Sequence, residues 1–186
     1  MRRLMCVGVA VVVSCLALAV KAQDSKSEDQ SAYKVLAKEE GVWDADIKMM
    51  VPGADGKVET STSKGVETNR MLAGKWLISD FKGEMFGSTF ERHGTSGYDA
   101  KKNKYIATWV HTVSVRIDTL EGTYDDKTKT LTLNSDSEAP DGKPIKMRRE
   151  TQFNDDGTRT FSVYAQADGQ KEFSKGMEVK YTKRKS

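Results

Sequence analysis

Along most of the chain, hydrophobic and polar residues alternate. Trp43, Ala45, Ile47 and Met49 take one parity and Asp44, Asp46 and Lys48 the other; Met177, Val179 and Tyr181 oppose Glu178, Lys180 and Thr182. Successive side chains of a β-strand point to opposite faces, so each run predicts a strand with one dry and one wet face. Tyr105, Ala107, Trp109 and His111 share a parity, as do Ile145, Met147, Arg149, Thr151 and Phe153. In "KWLISDFKGE" the pattern is ambiguous, because Trp76 with Ile78 competes with Leu77 and Phe81. Two stretches do not alternate. Residues 4–20, "LMCVGVAVVVSCLALAV", are uncharged. In "SAYKVLAKEEG", Tyr33, Leu36 and Ala37 fall on one helical face, with Ser31 as N-cap and Gly41 as stop. This predicts one short helix; no other follows.

Turn signals separate the strands. Asp-Gly occurs at Asp55-Gly56, Asp141-Gly142, Asp156-Gly157 and Asp168-Gly169. Both residues tolerate the positive φ of tight hairpins. The runs "DAKKNK" and "DDKTK" predict two more turns, and "LAGK" and "KGEMFG" two weaker ones. "GYDAKKNKYIATWV" is echoed by "GTYDDKTKTLTL", which reads as the same turn used twice between neighbouring antiparallel strands. No longer repeat is present, which argues against a solenoid or propeller. About ten strands joined by successive hairpins predict an all-β fold. Closure into an antiparallel up-and-down barrel removes exposed edges, with a two-sheet sandwich as the alternative.

The N-terminus changes the charge picture. Arg2 and Arg3 precede the apolar run, and Val20 and Ala22 suit a signal-peptidase site. Residues 1–22 are expected to be a secretory signal, 23–30 a disordered linker and 31–186 the barrel domain. An uncleaved anchor and lipid attachment at Cys15 are the alternatives. Cleavage removes Arg2, Arg3 and Lys21, so Lys plus Arg falls from 30 to 27 and equals the 27 Asp plus Glu. A neutral mature chain lacks the basic face that a nucleic-acid binder uses to neutralise phosphates. Cys6 and Cys15 leave as well, so the mature chain has no thiol chemistry and relies on its core. Export to the periplasm or medium is expected, without stable membrane insertion after cleavage.

"LAKEEGVWDADIKM" carries a Gly-x-Trp at the start of the first strand. It resembles the opening signature of lipocalin-like (calycin) barrels, in which the Trp closes one barrel end. Together with "LAGKWLISDFKGEMFGSTFERHGTSGYDAKKNKYIATWV", "EGTYDDKTKTLTL", "MRRETQF" and "MEVKYTKR", the chain resembles a bacterial family of unknown function, number 1579 in the domain-of-unknown-function series. The likeness covers roughly residues 36–184 and implies a lipocalin-like barrel in an exported protein, with no established activity. Family members often carry Asp after Thr-Trp-aliphatic, where this chain has His111. A role needing a carboxylate there is therefore not carried over.

Candidate chemistry is sparse. His93 and His111 are the only histidines, too few to specify a zinc site. There is no Gly-x-Ser-x-Gly elbow, phosphate loop or His-Glu-x-x-His motif, and no cofactor is implied. If the Trp109 face points inward, His111 lies in the barrel or at its mouth, where an imidazole can ligate haem iron. The favoured alternative has His111 at a strand end, meeting solvent. Arg149 shares its parity with apolar neighbours, and a buried arginine requires an anion from the protein or from a ligand. A structural ion pair is the favoured reading; a ligand carboxylate or phosphate is the other. Arg148, on the opposite parity, is expected in solvent. Trp43, Trp76, Phe81, Phe86, Phe90, Trp109, Phe161 and Tyr164 are candidates for a cavity wall.

The expected function is binding of a small hydrophobic or amphipathic molecule, with Trp109 and Phe90 as walls, Arg149 as anchor and His111 beside them. A filled barrel acting through its loops in the cell envelope is the alternative. The reading of the N-terminus has a direct check. Mass spectrometry of the exported protein should give a chain beginning at Gln23. A chain beginning at Met1, or lipid on Cys15, would replace the cleaved-signal reading.

Overall fold

The alternating runs form ten antiparallel strands. The computed structural model describes residues 30–53, 57–85, 87–139 and 142–185. The proposed signal, the linker up to residue 29, the Asp55-Gly56 turn, Phe86 and Asp141 lie outside the described residues. A short helix, α1 (Gln30–Ala37), precedes β1 (Gly41–Pro52), β2 (Val58–Leu72), β3 (Trp76–Met85), β4 (Ser88–Asp99) and β5 (Lys104–His111). Then come β6 (Ser114–Asp125), β7 (Thr130–Glu138), β8 (Pro144–Phe153), β9 (Arg159–Ala167) and β10 (Ser174–Lys183). Each strand pairs with its chain neighbours, and β1 also pairs with β10. The barrel therefore closes without an edge, as an up-and-down meander and not a sandwich. Among the described residues no helix is long and apolar enough to cross a membrane.

Alternate hairpins lie at opposite ends, so the barrel has a helix end and an open end. The doubled turn lies at the helix end. Asp99 Oδ1 accepts hydrogen bonds from the Lys101 and Lys102 amides at 3.0 and 3.3 Å, and Asp125 Oδ1 accepts from the Lys127 amide at 2.9 Å. Four residues after each Asp the backbone enters the left-handed region, at Asn103 (φ 54°) and Lys129 (φ 52°). The preceding tyrosines reach towards the helix and the turn that follows it. Tyr98 packs edge-on against Tyr33 of α1, and Tyr124 accepts a hydrogen bond from Lys38 Nζ at 3.0 Å. The repeated segment is thus a pair of loops that cup the N-terminal element.

Helix α1 plugs this end. Ala32, Tyr33, Val35 and Leu36 are buried, and Leu36 is wholly enclosed with Leu77, Tyr105, Ala107, Leu120, Leu131 and Leu133 in one cluster. Two details of the sequence reading change. Ala37 faces solvent, because the buried arc centres on Leu36. Ser31 is not the N-cap, because the helix already includes Gln30.

A second cluster, built on Trp43, Ala45, Ile47, Phe81, Val179 and Tyr181, lines the barrel beyond the plug. Phe81 settles the ambiguous strand: Leu77, Ser79 and Phe81 point inward, while Trp76 lies on the outer face, half-exposed over Gly97. Tyr164 is also on the outside, beneath the Arg148 guanidinium. Arg148 itself is half-buried between Tyr164 and Phe173, not free in solvent, because cation–π stacking holds it on the outer wall.

Glycines at inward positions make room towards the open end. A Cβ on Gly83 would lie 2.9 Å from Phe81 Cε1, and one on Gly94 would lie 2.7 Å from Trp109 Cδ1. These rings lie flat across bare backbone, a packing that a larger residue would prevent.

Leu36→Ala should lower stability by about 2–5 kcal/mol, the range for emptying a well-packed leucine site. Urea denaturation followed by circular dichroism measures it. A loss under about 1 kcal/mol would mean that α1 is not an integral plug.

Candidate ligand-binding site

Below the open half sits a buried polar cluster. Arg159, only 2% exposed, donates to Glu39 Oε2 at 2.8 Å and to Glu67 Oε1. Its guanidinium lies 3.9 Å from the Tyr181 ring and 4.7 Å from the Trp43 ring. Glu67 also accepts from Asn69 Nδ2 at 2.7 Å, Arg92 Nη2 at 2.6 Å and the Tyr181 hydroxyl at 3.0 Å. The Trp43 indole and the Asn69 amide both donate to the Glu39 carbonyl, at 2.8 and 2.9 Å. The Gly-x-Trp segment is thereby tied to β2, β9 and β10.

These contacts set the protonation of the cluster. Burial pushes Glu67 up, but the guanidiniums of Arg159 and Arg92 and the Asn69 hydrogen bond outweigh it and hold the carboxyl at about 2. Burial dominates at Glu39 and raises it, with Arg159 opposing. Burial and the neighbouring Glu67 anion push the Tyr181 hydroxyl up.

Above this floor is a cavity of about 440 Å³. All four candidate residues, Phe90, Trp109, His111 and Arg149, line it. β5 and β8 carry Trp109, His111 and Arg149 inward because each strand presents its apolar parity to the core. Strand position sorts the lining into two levels. Phe81, Arg92, Trp109, Arg149 and Phe161 lie deeper; Met49, Phe90, His111, Met147 and Met177 lie one inward step nearer the mouth, and Met85 two.

Trp109 organises the deeper level. The Arg92 and Arg149 guanidiniums lie 4.5 and 5.0 Å from its ring, and Phe161 packs against it at 6.0 Å. Arg149 donates to Ser135 Oγ at 2.7 Å and Asp118 Oδ2 at 3.0 Å. The structural ion pair expected for Arg149 is therefore present. Burial lowers the Arg149 pKa, Asp118 opposes that, and the nearby charge of Arg92 adds to it. His111 is half-buried, stacked 5.8 Å from Phe90, with Nε2 3.8 Å from Asp118 Oδ2. Its Nδ1 has no hydrogen-bond partner among the described residues. The inward Trp109 face thus takes His111 to the mouth, not to a solvent-facing strand end.

Of the candidate wall aromatics, Phe81, Phe90, Trp109 and Phe161 line the cavity. Trp43 lies deeper, against Arg159; Trp76 and Tyr164 face outward. Parity missed Arg92 and Asp118. Arg92 shares its face with Phe90, a signal available in "STFERHG". Asp118 was hidden because Val115 and Ile117 put the apolar parity of this stretch on the outer face, so the inward parity carries the charge. Among the described residues no group of three His, Cys, Asp or Glu is placed to hold a metal ion.

The family model described as "Protein of unknown function (DUF1579)" matches residues 28–183. Among solved structures, the crystal structure of Rv2717c from M. tuberculosis is similar, with a TM-score of 0.58 at 12% identity. The likeness covers 83% of this chain and 98% of that one, and it concerns the fold alone. No curated protein matches the chain.

The cluster makes a prediction with a definite sign. Glu67 is held at about 2, below its ordinary 4.5, so its stabilisation is complete above pH 4.5 and fades as pH falls towards 2. Glu39, raised, acts oppositely: its contribution is full below 4.5 and is lost as pH rises through its folded value. Glu67→Gln should cost about 3–5 kcal/mol at neutral pH, because it leaves buried guanidiniums unpaired. It should also flatten the stability profile between pH 4.5 and 2. An unchanged acid slope in urea titrations would assign that slope to another group.

Proposed function

The chain belongs to the DUF1579 family, and we propose that it is an exported protein that binds a small, hydrophobic or amphipathic molecule in the open half of its barrel. The observation that carries this reading is the cavity of about 440 Å³, walled by aromatics and methionines with a few polar groups at its floor. Ligand pockets have that size and composition, and barrel mouths are common places for them. Phe90 and Trp109 are walls, His111 flanks the mouth, and Arg149 is a polar anchor whose present partner is Asp118. Five methionines line the same cavity, and their unbranched thioethers adapt to apolar shapes. Export rests on the basic, apolar and small-residue pattern of residues 1–22.

One observation favours a second reading. Val113, Val115 and Ile117 are exposed at the β5–β6 hairpin, an apolar patch of the kind that meets a partner. In that reading the protein works through its outer surface and the cavity is incidental.

Native mass spectrometry of gently purified protein, compared with its denatured mass, separates the two. A discrete extra mass lost on denaturation is expected. Titration with fatty acids and with haem should also change tryptophan fluorescence, and Trp109→Phe should abolish that change. No extra mass and no response to any of these ligands would leave the hairpin reading in place.

A further inference from the structure

The cavity wall is unevenly charged. Arg92 and Arg149 line it, and Asp118 is the one carboxylate beside them. Glu67 pairs with Arg92 from behind, but it is shared with Arg159 and lies outside the cavity lining. A guanidinium has five N–H donors and no acceptor. Among the described residues Arg92 uses one hydrogen bond, to Glu67, and Arg149 uses two, to Ser135 and Asp118. The floor of the cavity therefore has more donors than acceptors: Asp118 balances one guanidinium, and the other leans on Glu67, a carboxylate it shares with Arg159. Burial is the main reason that the Arg149 pKa is lowered, and the nearby charge of Arg92 adds to it.

Polarity also varies with depth. The arginines stand beside Trp109 on the deeper level, while Met49, Met85, Met147 and Met177 hold the mouth. From the geometry, we infer that the ligand is a carboxylate with an apolar body, which enters head first: the carboxylate meets Arg92 and Arg149 at the floor, and the body lies against the methionines. This rests on the binding function proposed above and names its ligand class. A carboxylate supplies acceptors only and fits the guanidinium fork. A single carboxylate is enough to meet the free donors. A dianion would face Asp118 beside it and Glu67 behind Arg92. Both Nη atoms of Arg149 are taken, by Ser135 and Asp118, whereas Arg92 uses one, on Glu67, so Arg92 is the less committed anchor.

The test compares decanoate with decan-1-ol, two probes with the same chain and different heads, by calorimetric titration of the purified protein at pH 7.5. The acid should bind at least about tenfold tighter, as a charge-assisted hydrogen bond provides. Arg92→Met keeps the bulk over Trp109 and removes the charge, so the ratio of the two affinities should fall towards one. Equal affinities for the two probes in the wild-type protein would overturn the carboxylate assignment and leave the binding function standing. A preference that survives in folded Arg92→Met would remove Arg92 as the anchor. If neither probe binds, the binding function fails together with this inference. The wild-type comparison needs no variant, so it stands even if Arg92→Met does not fold.

Discussion

Glu67 is the junction on which both halves of the barrel depend. Its carboxylate is buried and accepts from Arg159, Arg92, Asn69 and Tyr181, so β2 is tied to β4, β9 and β10 through one side chain. A buried carboxylate is costly unless its lone pairs are filled, and here four donors fill them. The same contacts neutralise Arg159 on the helix side and turn Arg92 towards the cavity. Removing either arginine leaves the buried carboxylate short of a charged donor, and removing Glu67 takes a carboxylate from both guanidiniums. The cluster therefore fixes where the filled half ends and the empty half begins.

That division follows from which residues point inward. Leu36, Leu77, Leu120, Leu131 and Leu133 fill the helix end with branched side chains. Towards the mouth the inward positions of β2 and β3 include Gly65 and Gly83, which leave space that Phe81 takes only in part. Methionine supplies much of the remaining wall. Its thioether is flexible and polarisable, so this half is not the rigid jigsaw of the leucine half.

Much of the fold was legible because most strands have one apolar parity. β1, β5, β8 and β10 read correctly, and so did the doubled Tyr-Asp turn. β2 was harder, because its inward residues are Gly65, Glu67 and Asn69, which carry no apolar signal. The polar junction was invisible for the same reason. Glu67 and Arg159 are 92 residues apart, and Glu67 and Tyr181 are 114 apart; only closure of the barrel brings them together. Trp76 and Tyr164 misled because aromatic residues also pack on outer faces, over Gly97 in one case and under Arg148 in the other.

Arg149 shows how the two kinds of information combine. Its parity placed it inside and demanded an anion. The fold supplies Asp118, yet it also places Arg92 against the same indole. Asp118 serves Arg149 on this wall, while Arg92 reaches behind it to Glu67, which it shares with Arg159. A purely structural role for Arg149 needs only the Asp118 pair, and a second guanidinium beside it raises the cost of burying both. Arg92 also has a structural task, because it fills one lone pair of Glu67, but that task uses a single Nη and leaves its other N–H groups beside Trp109. The ion pairs to Glu67 and Asp118 therefore account for where the two arginines stand, and the N–H groups they leave over beside Trp109 are what those pairs explain least.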